Sequence, residues 1–175
     1  MTIPELHTER LLMRGFRESD LDAWAAICAD SEVTRWVGDL EGLTREGAWR
    51  RMAYILGHWV LRGFGQWALV ARETGELVGR AGLLQPEGWP GLEVGWLVAR
   101  EYWGSGYAPE AGRASTEWAH EALGAGHIIS LIEDANERSA RVAEKLGMKV
   151  EGRTRIVDGK FEVRIFGRDL GSPDS

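Results

Sequence analysis

Leu92–Leu123, LEVGWLVAREYWGSGYAPEAGRASTEWAHEAL, decides how this chain folds. Leu92–Ala99 is a short apolar run of strand length, interrupted by Glu93 and Gly95. A turn carrying Gly104, Ser105 and Gly106 follows, and from about Pro109 the pattern is helical. Proline's fixed φ suits a first helical position, where its missing N–H is no loss. A nearly bare backbone before a helix N-terminus leaves amide N–H groups pointing outward, a ready site for phosphate. The turn reads as the holder of a pyrophosphate from a nucleotide-containing cofactor.

The common nucleotide motifs do not fit. The dinucleotide fingerprint G-x-G-x-x-G needs glycine at 109, where Pro109 stands, and the strands before it form hairpins rather than βαβ units. No G-x-x-x-x-G-K-[ST] sequence occurs, which removes the P-loop.

Working outward, Arg10–Phe16 is a strand, and Ser19 is read as the cap of a helix over Asp20–Ala29. Val33–Val37 adds a short turn. Thr44 caps a helix reaching about Arg62, with Trp49, Met52, Ala53, Leu56 and Val60 as its inward face. Gln66–Arg72 and Leu77–Leu84 form a hairpin around Thr74-Gly75. Beyond the opening stretch, His127–Glu133 is a buried strand and Asn136 caps a helix closed by Gly147. Met148–Val157 and Phe161–Asp169 flank Asp158-Gly159, a hairpin signal. The expected class is α+β, a mostly antiparallel sheet of about seven strands flanked by helices, in one domain over 1–175 with a frayed tail at 171–175.

Composition narrows the function classes. The chain has 175 residues, 44% hydrophobic and 27% charged, an ordinary globular balance. Its net charge is −6, which argues against a nucleic-acid partner and suits cationic or amine-bearing substrates. No apolar run approaches the roughly 18 residues of a membrane span, and MTIPELHTERLL lacks the marks of a secretory signal. A cytosolic protein without membrane attachment is expected. Cys28, the single cysteine, cannot form an internal disulfide and reads as a buried thiol. His7, His58, His120 and His127 lack metal-ligand spacing, so no metal is expected.

Three segments carry a resemblance to a known family. Thr8-Glu9-Arg10-Leu11 with Ser19-Asp20 is the first. The second is Glu93-Val94-Gly95-Trp96 followed by Tyr102-Trp103-Gly104-Ser105-Gly106-Tyr107-Ala108-Pro109-Glu110-Ala111. Asn136-Glu137-Arg138-Ser139, ending in Glu144-Lys145-Leu146-Gly147-Met148, is the third. Together they resemble the GNAT superfamily of acyl-CoA-dependent N-acetyltransferases, in its ribosomal-protein N-terminal acetyltransferase-like branch, over about Thr8–Leu170. The resemblance implies acetyl-CoA as co-substrate and an amine as acceptor, on a small molecule or a protein N-terminus. A CoA-binding regulatory or scaffold protein without turnover is the alternative. Homodimers are common among such relatives, so a homodimer is possible; the sequence itself leaves the oligomeric state open.

By that resemblance the pyrophosphate lies on Trp103, Gly104, Ser105, Gly106, Tyr107 and Ala108, with Trp103 in place of the family's Gln or Arg. The strands of Val98 and of His127–Glu133 splay apart to admit the pantetheine arm, which pairs with backbone groups near Leu97 and Val98. Gly95 reads either as a bulge or close-approach glycine beside that arm or as a packing glycine. Asn136 and Ser139 read both as helix-cap residues and as contacts to CoA near its sulfur. The family's usual acid, a tyrosine, falls by register on Ala143, which leaves Ser139 or water to protonate the thiolate.

The reaction is attack of a neutral amine on the thioester. An α-amine of pKa near 7.8 is about 14% neutral at pH 7, a lysine near 10.4 only about 0.04%. Glu93 is the candidate base, set against the plainer reading of an outward charged strand residue. Glu133 and Asp134 compete for the role, while His127 starts its strand too far away. Trp24, Trp49 and Trp118 sit at core spacings; Trp36, Trp89 and Trp96 are candidates to line a substrate pocket.

Overall fold

The computed structural model describes residues 2–37 and 42–171. Eight strands form one sheet in the order β1-β2-β3-β4-β5-β6-β8-β7. They are β1 Leu6–His7, β2 Leu11–Arg14, β3 Gln66–Ala71, β4 Leu77–Leu84, β5 Glu93–Val98, β6 His127–Ile132, β7 Lys149–Ile156 and β8 Phe161–Asp169. Every neighbouring pair is antiparallel except β5–β6. The strand beyond the expected seven is β1, a two-residue edge pairing that a period-of-two pattern is too short to reveal.

Among the described residues five α-helices cover the sheet: α1 Leu21–Ala29, α2 Ser31–Thr34, α3 Arg45–Arg62, α4 Tyr107–Leu123 and α5 Glu137–Lys145. On one face, α1 and α3 pack Trp24, Ile27, Cys28, Met52 and Ile55 against Ala68, Leu97 and Ala99. On the other, α4 packs Ala111 and Trp118 against Leu69, Val78, Ala81 and Val98. Three tryptophans cluster edge-to-face beneath α4, with Trp67 4.9 Å from Trp59 and 5.3 Å from Trp118. Such pairs add roughly 0.5–1.5 kcal/mol each beyond area burial.

Several local expectations change. Ser19 does not cap α1; Glu18–Asp20 is a 3-10 turn, and the Asp20 carboxylate accepts the Arg17 amide at 2.8 Å. The inward face of α3 is rotated one residue: Ala48, Met52, Ile55, His58 and Trp59 are buried, whereas Trp49 is 49% and Val60 68% exposed. Both stripes have helical spacing, and the buried one includes His58, which a purely apolar count passes over. His58 lies below its ordinary pKa because of burial; its Nδ1 meets the Phe64 carbonyl at 2.8 Å while Nε2 accepts the Gln85 amide. The Asp158-Gly159 turn is a four-residue loop, with Val157 and Asp158 at positive φ. Thr44 caps α3 as expected, accepting from the Gly47 amide. Within the tail, residues 172–175 lie outside the described residues.

Candidate functional site

The parallel pair β5–β6 joins at one register point, Glu93 opposite Ile129, with the Ile129 amide donating to Leu92 at 2.9 Å. The Ser130 hydroxyl then donates to the Val94 carbonyl at 2.7 Å, and beyond it the strands part. The result is a wedge open at the C-terminal ends of two parallel strands. It widens into a cavity of about 470 Å³ between β5, the α4 N-terminus, α2 and α5.

The turn leading into α4 forms one wall. Gly104 and Gly106 both adopt positive φ, at 82° and 90°. This geometry suits glycine and turns the following amides outward. The amides of Gly104, Gly106, Tyr107 and Ala108 have no protein acceptor among the described residues. Ser105 is different: its amide and hydroxyl both donate to the Tyr102 carbonyl, so it is spent on the turn and does not line the cavity. α4 starts at Tyr107, and Pro109 is its third residue, still inside the first turn where no N–H is needed.

Trp103 stands where a polar residue was expected, and it props the wall. Its Nε1 donates to the Val98 carbonyl at 2.9 Å, and the Arg138 guanidinium covers its ring at 3.6 Å. The Val98 carbonyl is therefore occupied. Leu92 and Val94 present their carbonyls toward β6, so alternation turns the N–H and C=O of Trp96 to the opening and those of Leu97 to β4. Of the backbone groups expected at Leu97 and Val98, those of Leu97 are turned away to β4, the Val98 N–H still faces the opening, and Trp96 adds its own; both Leu97 and Val98 line the cavity.

α5 forms the opposite wall. Asn136 caps it by accepting the Ser139 amide at 3.2 Å, while Ser139 itself faces the cavity. Arg138, Arg141 and Lys145 line the cavity with it. This basic stripe was missed in the sequence, although spacings of three and four would have found it. Ala143 is fully buried in the core; Val142 lines the cavity, so the register shifts by one and still supplies no tyrosine.

Glu93 sits at the apex of the wedge. Its Oε2 accepts the Trp89 indole N–H at 2.5 Å and its Oε1 accepts the Leu131 amide at 3.4 Å. Burial pushes its pKa up to about 7, although these hydrogen bonds and the charges of Arg80 and Arg51 pull the other way. A carboxylate at that value can take or hold a proton near neutral pH. Asp134 is committed to Arg153 at 2.7 Å and to Arg164 at 3.1 Å, and the Arg153 hydrogen bond holds it below its ordinary pKa. His127 is bound by Asp169 and Glu151 at the far end of β6, and the Asp169 hydrogen bond raises its pKa. Glu133 is raised by burial alone. Trp36 and Trp96 line the cavity, whereas Trp89 lies outside it and serves Glu93.

The GNAT acetyltransferase domain model matches residues 10–149, spanning β2 to the start of β7. The chain belongs to the GNAT acetyltransferase family. A Bacillus subtilis protein named as an uncharacterized N-acetyltransferase, YoaA, is 31% identical over 156 residues, covering 85% of this chain and 85% of that protein. The crystal structure of an acetyltransferase from Agrobacterium tumefaciens superposes with TM-score 0.83 at 30% identity, covering 96% of this chain and 95% of that one. A ribosomal L7/L12 alpha-N-protein acetyltransferase in complex with coenzyme A shares the fold at 13% identity, with TM-score 0.78 over 95% of this chain and 98% of that one. The GNAT protein described here is an N-acetyltransferase, and its family uses acetyl-CoA.

Proposed function

We propose that the wedge between β5 and β6 receives acetyl-CoA and that Glu93 serves the acceptor amine. The observation that carries this is the single-point pairing of β5 with β6 at Glu93 itself, whose half-buried carboxylate has a pKa of about 7. Four outward amides, at Gly104, Gly106, Tyr107 and Ala108, suit the pyrophosphate, aided by the positive end of the α4 dipole. Arg138, Arg141 and Lys145 add positive charge for phosphate groups. The N–H and C=O of Trp96 suit the amides of the pantetheine arm, with Leu97 and Val98 packed behind them.

Chemically, acetyl-CoA supplies the thioester. Glu93 accepts a proton from the attacking ammonium or amine, directly or through water. The new N–C bond forms as the C–S bond breaks, and the thiolate takes a proton from water or from Ser139, the hydroxyl on α5 facing the cavity. The acceptor is an amine of a small molecule or a protein N-terminus, and the fold shared with ribosomal-protein acetyltransferases supports the branch assignment. The enzyme is proposed to act in the cytosol as a homodimer. The exposed Trp49, Val60 and Leu61 on α3 support the dimer, which sedimentation tests. Thiol release from acetyl-CoA, measured across amines and N-terminal peptides, tests the activity. Binding of CoA with no acceptor consumed would favour a scaffold role.

A further inference from the structure

Two arginines, Arg80 buried and Arg51 half-buried, lie close enough to Glu93 for their charges to act on it. Arg80 on β4 is 3% exposed, and neither it nor Arg51 on α3 forms an ion pair among the described residues. The Nε of each is buried without a hydrogen bond, and so is Gln66 Oε1. Arginine is seldom fully buried unless paired, and an orphaned guanidinium is costly.

Sheet register brings these groups to one place. Across β3, β4 and β5 one row is Gln66–Gly82–Gly95, and the next is Ala68–Arg80–Leu97. Leu84 pairs with Glu93. Alternation puts Gln66, Arg80 and Glu93 on one face, the face packed by α1 and α3, because Ala68 and Leu97 belong to that core. Gly82 and Gly95 contribute no side chains between the arginine and the carboxylate, and Gly82 lies against the backbone of Gly65 and Gln66. A Cβ on Gly95 would meet Gln66 Nε2 at 3.5 Å and Glu93 Oε1 at 3.9 Å, so both polar groups reach over it.

Arg51 on α3 is close enough for its charge to act on both Arg80 and Glu93, and its guanidinium lies 4.6 Å from the Tyr54 ring. Burial first, and then the charge of Arg51, bring Arg80 down to about 9. Glu93 offsets these charges only in part: among the described residues it forms no ion pair with either arginine, and its oxygens accept from Trp89 and Leu131. Glu93 and Gly95 are only half-buried, so this group of side chains reaches solvent on the Glu93 side.

We propose that Arg51 and Arg80 form an acid-binding subsite, and that the acceptor is a small amine that also carries a carboxylate or phosphate group. This rests on the reading of Glu93 as the group that serves the amine. Glu93 lies four residues from Leu97, the strand partner of Arg80, a span of about 13 Å that the long arginine side chain shortens. An amine over Glu93 with an acid group a few bonds away fills that span. Guanidinium forks suit the planar oxygens of a carboxylate and those of a phosphate alike. The net charge of −6 disfavours an anion at the general surface, and the arginine pair reverses the sign locally.

The test compares amino acids with their methyl esters, and O-phosphoethanolamine with ethanolamine, on the intact chain. Acetylation kinetics are read beside thermal stabilisation of the CoA-saturated protein. The acid-bearing member of at least one pair is expected to react at least tenfold faster in kcat/KM and to stabilise the protein, and the responding pair tells carboxylate from phosphate. Arg80→Met is expected to erase that preference, read as the acid-to-ester rate ratio within the variant, and to leave the free protein no less stable. Arg51→Gln, on a different element, repeats the test if Arg80→Met fails to fold. Equal rates for acid and neutral members, or a preference unchanged in both variants, would overturn the proposal. Stabilisation by the acids without turnover would support the subsite and refute the catalytic reading; absence of both turnover and stabilisation would overturn the subsite.

Discussion

Arg10 Nη2 lies 2.6 Å from Glu110 Oε2, joining the start of β2 to the first turn of α4. The Arg10 amide and the Thr8 hydroxyl donate to Glu110 Oε1 at 2.9 and 2.6 Å, and Arg10 Nη1 donates to the Ser105 carbonyl at 2.7 Å. Burial pushes the Glu110 pKa up, but these hydrogen bonds outweigh it and leave the carboxylate below its ordinary value. The Thr8–Leu11 segment thus holds the glycine turn in shape from outside the cavity. Arg10→Ala should raise KM for acetyl-CoA about tenfold, equivalent to about 1.4 kcal/mol, with kcat little changed. Initial rates at varied acetyl-CoA check this, and an unchanged KM would remove Arg10 as a positioning residue.

Gly106 carries φ of +90°, and an added Cβ would meet Arg10 Nη2 at 3.2 Å. Gly106→Val combines backbone strain at positive φ with displacement of that guanidinium. The variant should fold, by circular dichroism, yet lose the thermal stabilisation that CoA gives the wild type. Undiminished stabilisation in the folded variant would contradict the pyrophosphate assignment.

Glu93 makes the rate depend on pH in a defined direction. Its pKa of about 7 means that the deprotonated base is lost as pH falls below neutrality. Wild-type kcat/KM should rise toward a plateau above pH 7, on top of the amine's own ionisation. Glu93→Gln should lower the rate by about 10²- to 10⁴-fold and leave only the amine's inflection, with CoA affinity unchanged. The same raised pKa has a stability consequence. Folding binds a proton more tightly here, so the stabilisation is complete below the unfolded carboxyl's pKa and is lost as pH rises through about 7. A glutamine avoids that loss, so the variant's melting temperature should gain on the wild type between about pH 4.5 and pH 7.

Asp20 and Arg14 form a buried fork, with Nη1 2.7 Å from Oδ2 and Nη2 2.8 Å from Oδ1. Burial opposes ionisation of Asp20, but the Arg14 and Arg17 hydrogen bonds prevail and its pKa is lowered. The pair's contribution is therefore present above the unfolded carboxyl's pKa and lost as pH falls through the folded value. Asp20→Asn leaves the buried Arg14 charge uncompensated, a cost of about 3–5 kcal/mol near neutral pH. Urea midpoints measured down the acid range should show the two proteins converging.

The fold was legible because strand, glycine turn and helix are local patterns, and those of β5, α4 and β6 appear within one or two residues of expectation. The α3 face was not, because Trp49 and Trp59 sit on alternative helical stripes and only the tryptophan cluster with Trp67 and Trp118 chooses between them. At the site, Glu93 and the glycine turn were visible as residue types in order. The role of Trp103, the commitment of Ser105 and the backbone contribution of Trp96 were hidden, since each depends on where a backbone group points. The arginine pair was hidden for a further reason: Arg51 and Arg80 look like ordinary surface charges until strand register buries Arg80 and helix packing half-buries Arg51.

The central claim is acetyl transfer through the β5–β6 wedge to an amine beside Glu93. Continuous assay of free thiol from acetyl-CoA, with mass spectrometry of the acceptor, tests it most directly. The account predicts amine-dependent thiol release matched one-to-one by N-acetylated product, and near-complete loss of both in Glu93→Gln. Thiol release that continues at wild-type rate in that variant, or CoA binding with no amine ever acetylated, would contradict it.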